Sequence, residues 1–222
     1  MANQQELFVQ RKVRVLGQVE EKAEANNDNS WVTIHDSSKN FLLTFESKGL
    51  VVAINGGGGL KADHPAVKDG VALAKAVVDW GGCVLNAGRD SGIMKAVAEE
   101  VKDKCLGVLY SAQKPEANQH GPKAIVNMPA PRVELMAISP PVVVIFQGAL
   151  GTFQILIRSV VNHINKIISE EKGEPQQLFI STYWIPILDL LVNIGVFKRE
   201  HLKGINFFSS ADDILAKIPG LQ

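Results

Sequence analysis

Continuous runs of apolar residues recur along the chain from Leu50 onward, each followed by a turn and then an amphipathic stretch. The clearest runs are LVVAIN, GCVLNAG, LGVLYSA and PPVVVIF, and shorter ones are AIVN, QQLFIST and NFFSS. Apolar runs without polar alternation are typical of strands that are covered on both faces. Their alternation with helical patterns predicts an α/β fold, a Rossmann-like doubly wound parallel sheet.

The first 47 residues differ from this pattern. Short β-type runs, RKVRVLG, WVTIH and FLLTFE, are separated by the polar stretches EEKAEANNDNS and DSSKN. The second stretch predicts the turn of a β-hairpin, and residues 20–30 are expected to form a loop. We therefore predict a β-rich N-terminal extension with a β-hairpin over residues 1–47 and a Rossmann-like domain over residues 48–222.

Composition narrows the classes of function. Lysine plus arginine and aspartate plus glutamate balance at 23 each, which argues against a nucleic-acid or anionic-lipid partner. The N-terminal sequence has no apolar export region, and polar residues interrupt the most apolar stretch, so we expect a cytoplasmic protein without a membrane span. The five histidines are scattered and the two cysteines lie in apolar runs, so no metal site is expected.

Three glycine-rich turns follow apolar runs, where the carboxyl ends of parallel strands form ligand sites. In the first turn Gly57, Gly59 and Ala62 fit the dinucleotide pattern G-x-G-x-x-A. The acid at the expected distance, Asp79, falls in a helical pattern, so NAD is not expected. Contact with some other ligand and a merely tight strand–helix turn both stay open for this segment.

The second and third turns have features of anion sites. Gly88 and Gly92 allow a ligand to approach the backbone, and Arg89 is either a phosphate or carboxylate partner or a solvated loop charge. In the third turn, Gly148 and Gly151 precede a long helix, and the Thr152 hydroxyl can bond a phosphate oxygen.

Several motifs together resemble one family. NAGRDSGIMKAVAEEV is similar to the Y-G-G-G-x-x-G-L-M-x-A-V-A segment of the Lonely Guy (LOG) family, and QGALGTFQI falls where that family has P-G-G-x-G-T-x-x-E. RVELM resembles its R-K-x-x-M, and STYWIPILDLL resembles its G-Y-Y-x-P-L-L. The order and spacing agree over about residues 50–216.

The resemblance implies a Rossmann-like homodimer that hydrolyses the N-glycosidic bond of nucleoside 5′-monophosphates. It assigns Arg132 to the family's catalytic arginine and the phosphate turn to the QGALGT segment. Together with the other two turns this gives the candidate ligand-binding residues Gly57, Gly58, Gly88, Arg89, Gly92, Met94, Gly148, Gly151 and Thr152.

The family's glutamate is missing. Its position holds Ile155, and Arg158 stands where an acid often follows one turn later. Glycosidic cleavage needs a carboxylate, which isoleucine cannot supply. Asp90, otherwise expected to cap a helix, and Glu134, otherwise a partner of Arg132, are the nearest acids by motif position.

Three functions follow. The first is binding of a phosphate-bearing ligand, a nucleoside 5′-monophosphate or a molybdenum cofactor, since relatives of the family include carriers of that phosphorylated pterin. Arg89, Arg132 and Arg158 would then converge on the ligand. The alternative is an active nucleotide phosphoribohydrolase with a relocated acid. The third is a regulatory or structural pseudoenzyme, which the changes at Gln147 and Ala149 favour. No cofactor is required in any of them.

Overall fold

The computed structural model describes residues 13–19, 31–43, 50–126, 128–169, 176–218 and 221. The strands are β1 Val13–Val19, β2 Trp31–Leu43, β3 Val51–Asn55, β4 Cys83–Asn86, β5 Cys105–Tyr110, β6 Lys123–Val126, β7 Val142–Ile145, β8 Gln177–Ser181 and β9 Asn206–Phe208. The α-helices are α1 Pro65–Asp79, α2 Gly92–Val101, α3 Pro129–Ala137, α4 Leu150–Ser169, α5 Ile185–Asn193 and α6 Ala211–Leu215.

The nine strands form one sheet in the order β1-β2-β6-β5-β4-β3-β7-β8-β9. All neighbours from β2 to β9 pair in parallel, and β1 pairs with β2 in the antiparallel sense. The chain winds outward from β3 through β4, β5 and β6, and then returns to the other side of β3 with β7, β8 and β9. The strand order therefore reverses next to β3, and the predicted doubly wound α/β fold is confirmed.

Each face of the sheet carries its own apolar core. Val51 and Ala53 of β3 belong to one core, and Val52 and Ile54 belong to the other. Residues of α3, α4 and α5 complete the first core, and residues of α1, α2 and α6 complete the second. Burial of both faces explains why these strands lack polar alternation.

The antiparallel strands β1 and β2 of the N-terminal extension do not form the predicted hairpin with its turn at residues 36–40. We expected the turn at residues 36–40, but these residues lie within the single strand β2. Its partner is β1, and the register shifts between Leu16, opposite Asn40, and Gln18, opposite His35. The turn-forming residues are thus accommodated by an irregularity in the ladder instead of a chain reversal. The predicted loop at 20–30 and the domain boundary at residue 47 lie outside the described residues.

Candidate functional site

The three glycine-rich turns meet at the carboxyl ends of the adjacent strands β4, β3 and β7. The Gly57 amide donates a hydrogen bond of 3.0 Å to the Gln147 carbonyl, and the Gly57 carbonyl accepts one of 3.4 Å from the Ile93 amide. The first turn therefore contacts both of the others. Parallel sheets bind ligands at this edge, next to the strand where the order reverses.

Close backbone packing explains the glycines at the centre of this site. Gly92 has φ +53°, and a Cβ on it would lie 2.2 Å from the Gly57 carbonyl oxygen. A Cβ on Gly57 would lie 3.0 Å from the Gly148 Cα, and one on Gly58 would lie 2.7 Å from the Ser91 hydroxyl oxygen and 3.2 Å from the Met94 Cε. These glycines let three backbone segments touch, and Met94 lies against the first turn.

Two other glycines border open space. A Cβ on Gly59 or on Gly151 would meet no atom within 4 Å. Gly88, in contrast, has φ +67°, and its Cβ would lie 3.0 Å from the Gly107 Cα. The predicted site residues thus divide between those that hold the turns together and those that border accessible volume.

Thr152 lies in the first turn of α4. Its residue surface is 6% exposed, and a Cβ on Gly148 would lie 2.2 Å from its hydroxyl oxygen. The hydroxyl is therefore beside the Gly148 backbone, at the amino end of a helix of 20 residues that has no acidic residue in its first turn. The unpaired amide groups and the dipole at such a helix end favour an anion.

A histidine connects the first and third turns. His64 caps α1, because its Nδ1 accepts a 3.1 Å hydrogen bond from the Ala66 amide. The Gln147 side-chain amide lies 2.8 Å from His64 Nε2. The contacting atom of Gln147 is its amide nitrogen Nε2, and the imidazole tautomer decides which of the two nitrogens donates. Gln147, where the resembling family has proline, thus links the third turn to the start of α1.

Two arginines, Arg132 of α3 and Arg89 after β4, interact electrostatically near the carboxyl ends of β4 and β5. Arg132 is 9% exposed, and its Nε donates a 3.0 Å hydrogen bond to the Val108 carbonyl. Burial, followed by the charge of Arg89, lowers the Arg132 pKa to about 10, against the weaker effects of Tyr110 and Glu116. A buried guanidinium that is disfavoured by the charge of a second guanidinium is typical of an anion site.

Glu116 and Asn55 also belong to this edge, although the sequence analysis did not single them out. Glu116 forms an ion pair with Arg89. Asn55 ends β3, is 2% exposed and leaves its Oδ1 without a hydrogen-bond partner among the described residues. Asn55 had one detectable signal, a polar residue at the end of an apolar strand. Glu116 had none, because it lies between the motifs that carry the resemblance.

Known structures share this architecture. The molybdenum cofactor binding protein from the phototrophic bacterium Rippkaea orientalis matches with a TM-score of 0.58 and 18% identity, over 76% of this chain and 94% of that one. The molybdenum cofactor carrier protein from Chlamydomonas reinhardtii matches with a TM-score of 0.54 and 14% identity, over 78% of this chain and 98% of that one. The chain has the fold of the molybdenum cofactor carrier proteins.

A structural-genomics target also has this carrier-type fold, with a TM-score of 0.55 and 16% identity over 76% of this chain and 96% of that one. No family model and no curated protein matches the sequence. At these identities the likeness establishes the fold alone.

Ile155 lies in the apolar core. Its residue surface is 4% exposed, and it belongs to the core on the α3, α4 and α5 face of the sheet. The position of the family's glutamate is therefore filled by a packing residue.

Three other predicted roles are wrong. Glu134 pairs with Arg158 and not with Arg132, at 2.6 Å from Nε to Oε1, so Arg158 does not join the arginine pair. Asp90 does not cap α2, since Ser91 is the N-cap residue and the Asp90 carboxylate lies 3.3 Å from Lys95 Nζ. Both acids are thus engaged by cations on neighbouring positions of the fold.

The remaining candidates for chemistry lie elsewhere. Asp79 pairs with Lys75 at 2.9 Å at the carboxyl end of α1, the end remote from the glycine turns. Burial raises the pKa of the Cys105 thiol to about 12. Within the described ranges no three His, Cys, Asp or Glu side chains group so as to hold a metal ion.

No described helix is both long and apolar enough to cross a membrane.

Proposed function

We propose that this chain binds a small phosphate-bearing ligand along the carboxyl edge of β5, β4, β3 and β7 and does not hydrolyse it efficiently. The ligand is a molybdenum cofactor or a nucleoside 5′-monophosphate. The observation that carries the proposal is the buried guanidinium of Arg132, on whose pKa the charge of Arg89 acts.

The arginine pair supports an anionic ligand. Burial of a guanidinium next to a second one is unfavourable, and an anion of charge −2 would offset both effects. Arginine also presents a planar fork of donors that suits phosphate oxygens. The buried Nε of Arg89 has no hydrogen-bond partner among the described residues, so one donor of the pair is unused.

The third turn supports a second contact at the other end of the same ligand. β4 and β7 flank β3, so the two turns stand two strand spacings apart, roughly 10 Å. With the phosphate at the arginines, a polar group of the ligand's other end would meet the Thr152 hydroxyl and the amide groups at the start of α4. A ligand that reaches both places has an anionic end and a polar body, as a nucleotide and a phosphorylated pterin do.

A molybdenum cofactor fits as cargo on this scaffold. A carrier needs an anion pocket and no hydrolytic acid, and the family's glutamate is here the core residue Ile155. The orphaned Asn55 Oδ1, at the carboxyl end of β3, is an acceptor for the amino and ring N–H donors of a pterin. The names of the similar structures agree with this choice.

The alternative is a phosphoribohydrolase. Glu116 favours it, because this carboxylate pairs with Arg89 and its charge acts on Arg132. A carboxylate near the sugar could stabilise an oxocarbenium-like state or activate water. Release of ribose 5-phosphate from AMP by the purified protein would favour this alternative.

We further propose that the functional unit is a homodimer that acts in the cytosol. Beyond its buried face, α4 has a second apolar stripe at heptad-like spacing, formed by Leu150, Ile157, Val161 and Ile168. Leu150 is 72% exposed and Ile168 is 67% exposed. A helix that is apolar on two sides supports pairing with a second copy.

Analysis of the co-purifying ligand tests the proposal. The protein would be purified gently, and its released small molecules identified by mass spectrometry alongside elemental analysis for molybdenum. We expect a phosphorylated compound, with molybdenum if the cargo is the cofactor. Arg132→Met should lose the ligand, and the matched change of the exposed Arg199, Arg199→Met, should keep it. Equal loading of both variants, or a ligand without an anionic group, would contradict the proposal.

A further inference from the structure

Glu116 is held at the arginine pair by backbone contacts that do not depend on its side chain. The Asp90 amide donates a 2.7 Å hydrogen bond to the Glu116 carbonyl, and the Asn118 amide donates one of 2.9 Å to the Gly88 carbonyl. Arg89 and Ala117 also form an antiparallel bridge. Main-chain hydrogen bonds therefore attach the segment after β5 to the second glycine turn. These backbone contacts place Glu116 beside Arg89.

The ion pair itself is made by half-exposed side chains. The Arg89 and Glu116 side chains are 40% and 48% exposed. Ion pairs with this degree of solvent access contribute little to stability, because water screens them. Arg89 can therefore exchange Glu116 for another anion while the main-chain hydrogen bonds between the two segments stay in place.

Glu116 engages only part of Arg89. The contact joins the Arg89 Nη2 to the Glu116 carboxylate, whereas the buried Nε has no partner among the described residues. Arg132 next to it has one donor satisfied by a main-chain carbonyl, that of Val108. A single carboxylate thus opposes two guanidinium groups, and a phosphate of charge −2 would satisfy them better.

We propose that Glu116 is an internal counter-ion that occupies Arg89 in the ligand-free protein and must give way when the phosphate-bearing ligand binds. This inference rests on the proposed function, because it assigns a competitor to the same anion site. The carboxylate holds the Arg89 guanidinium in place before binding, and its charge opposes any anion that arrives. It thereby disfavours weakly charged anions and leaves the site to a phosphate monoester.

The test is the affinity of a Glu116→Gln variant for inorganic phosphate and for AMP, measured by calorimetry. Glutamine keeps the size and the hydrogen-bonding groups of the side chain but removes the opposing charge. We expect binding of both probes to tighten by about threefold to tenfold, as removal of one like charge near a bound anion predicts. Glu200→Gln makes the same charge change at an exposed, remote position and should leave both affinities unchanged.

The outcomes separate the two proposals. Tighter binding by Glu116→Gln, with unchanged binding by Glu200→Gln, supports the proposal that Glu116 is a counter-ion. Weaker or equal binding by Glu116→Gln, with wild-type protein still binding phosphate through Arg132, overturns the counter-ion and leaves the proposed function standing. Loss of AMP hydrolysis in Glu116→Gln, from a wild type that hydrolyses it, overturns the counter-ion in favour of a catalytic acid. Absence of phosphate binding in both proteins overturns both proposals. Thermal melting checks that the variant is folded.

Discussion

Arg158 and Glu134 form a bidentate ion pair, with 2.6 Å between Nε and Oε1 and 2.8 Å between Nη2 and Oε2. The pair joins α4 to α3, the helices that carry Thr152 and Arg132. Because both side chains are partly exposed, the pair adds little to stability. Its geometric effect is larger, since a planar two-point contact fixes how the two helices present their site residues.

Thr152→Val should weaken binding of a 5′-monophosphate. Valine keeps the shape of the side chain and the helix but removes the hydroxyl beside Gly148. The loss should be about 1 kcal/mol if the hydroxyl donates a hydrogen bond to the ligand. Calorimetry with AMP measures it, and Thr182→Val, at an exposed threonine on another element, is the control. Unchanged affinity in the first variant would show that the third turn does not contact the ligand.

Little or no ribose 5-phosphate should be released from AMP by the unmodified protein. The position of the motif glutamate is Ile155, and general acid–base help is worth about 10²–10⁴ in rate. A coupled assay for ribose 5-phosphate, with a known phosphoribohydrolase as the positive control, measures the release. Rapid hydrolysis would contradict the proposal of a binding protein and would make Glu116 the candidate catalytic acid.

Ile155→Glu should destabilise the protein without creating an efficient enzyme. The side chain lies in the apolar core, so the carboxyl would be uncharged or would bring an unpaired charge into the core. We expect a loss of about 3 kcal/mol or more in the free energy of unfolding. Gln154→Glu adds a carboxylate at an exposed position of the same helix and should cost far less. Similar denaturant midpoints for the two variants would show that Ile155 borders solvent.

The homodimer should depend on the outer stripe of α4. Val161→Glu places a charge in the middle of that stripe and should shift the protein to monomers by light scattering at micromolar concentration. Ile194→Glu changes a more exposed apolar residue just after α5 and should leave the dimer intact. A monomeric wild-type protein at that concentration would count against the dimer.

Gly92→Ala should damage the site more than Gly59→Ala. The new Cβ would need both a left-handed backbone at φ +53° and a 2.2 Å approach to the Gly57 carbonyl oxygen, so the first two turns must separate. Gly59 borders open space, and alanine there meets no atom within 4 Å. Melting temperature and AMP affinity should both fall in the first variant. Equal values for the two variants would mean that the turns are not in contact.

Part of this architecture was predictable from sequence and part was not. The apolar runs identified the parallel sheet because strands buried on both faces have no polar alternation, as β3 illustrates. The glycine turns could be recognised from the sequence because close backbone contacts leave room only for glycine at Gly57 and Gly92. The roles of Glu134 and Asp90 were wrong, because an acid pairs with whichever cation the tertiary packing brings near it.

Glu116 and the N-terminal pair show a second limit. The position of Glu116 depends on a bridge between two loops that are far apart in sequence, and no local pattern encodes such a bridge. The turn expected at residues 36–40 has the composition of a reversal, yet the ladder with β1 accommodates it within one strand. Local propensity was outweighed there by pairing with another segment.

The position of β2 in the sheet, next to β6, affects the order in which the strands can pair during folding. Trp31 pairs with Lys123 and Ile34 with Val126, so the first long strand of the chain finds its parallel neighbour only in β6. During synthesis the ribosome must deliver the whole of β3, β4 and β5 before that neighbour exists. Contacts between segments so distant in sequence form late and slowly. β2 is thus among the last of the described strands to reach its parallel partner.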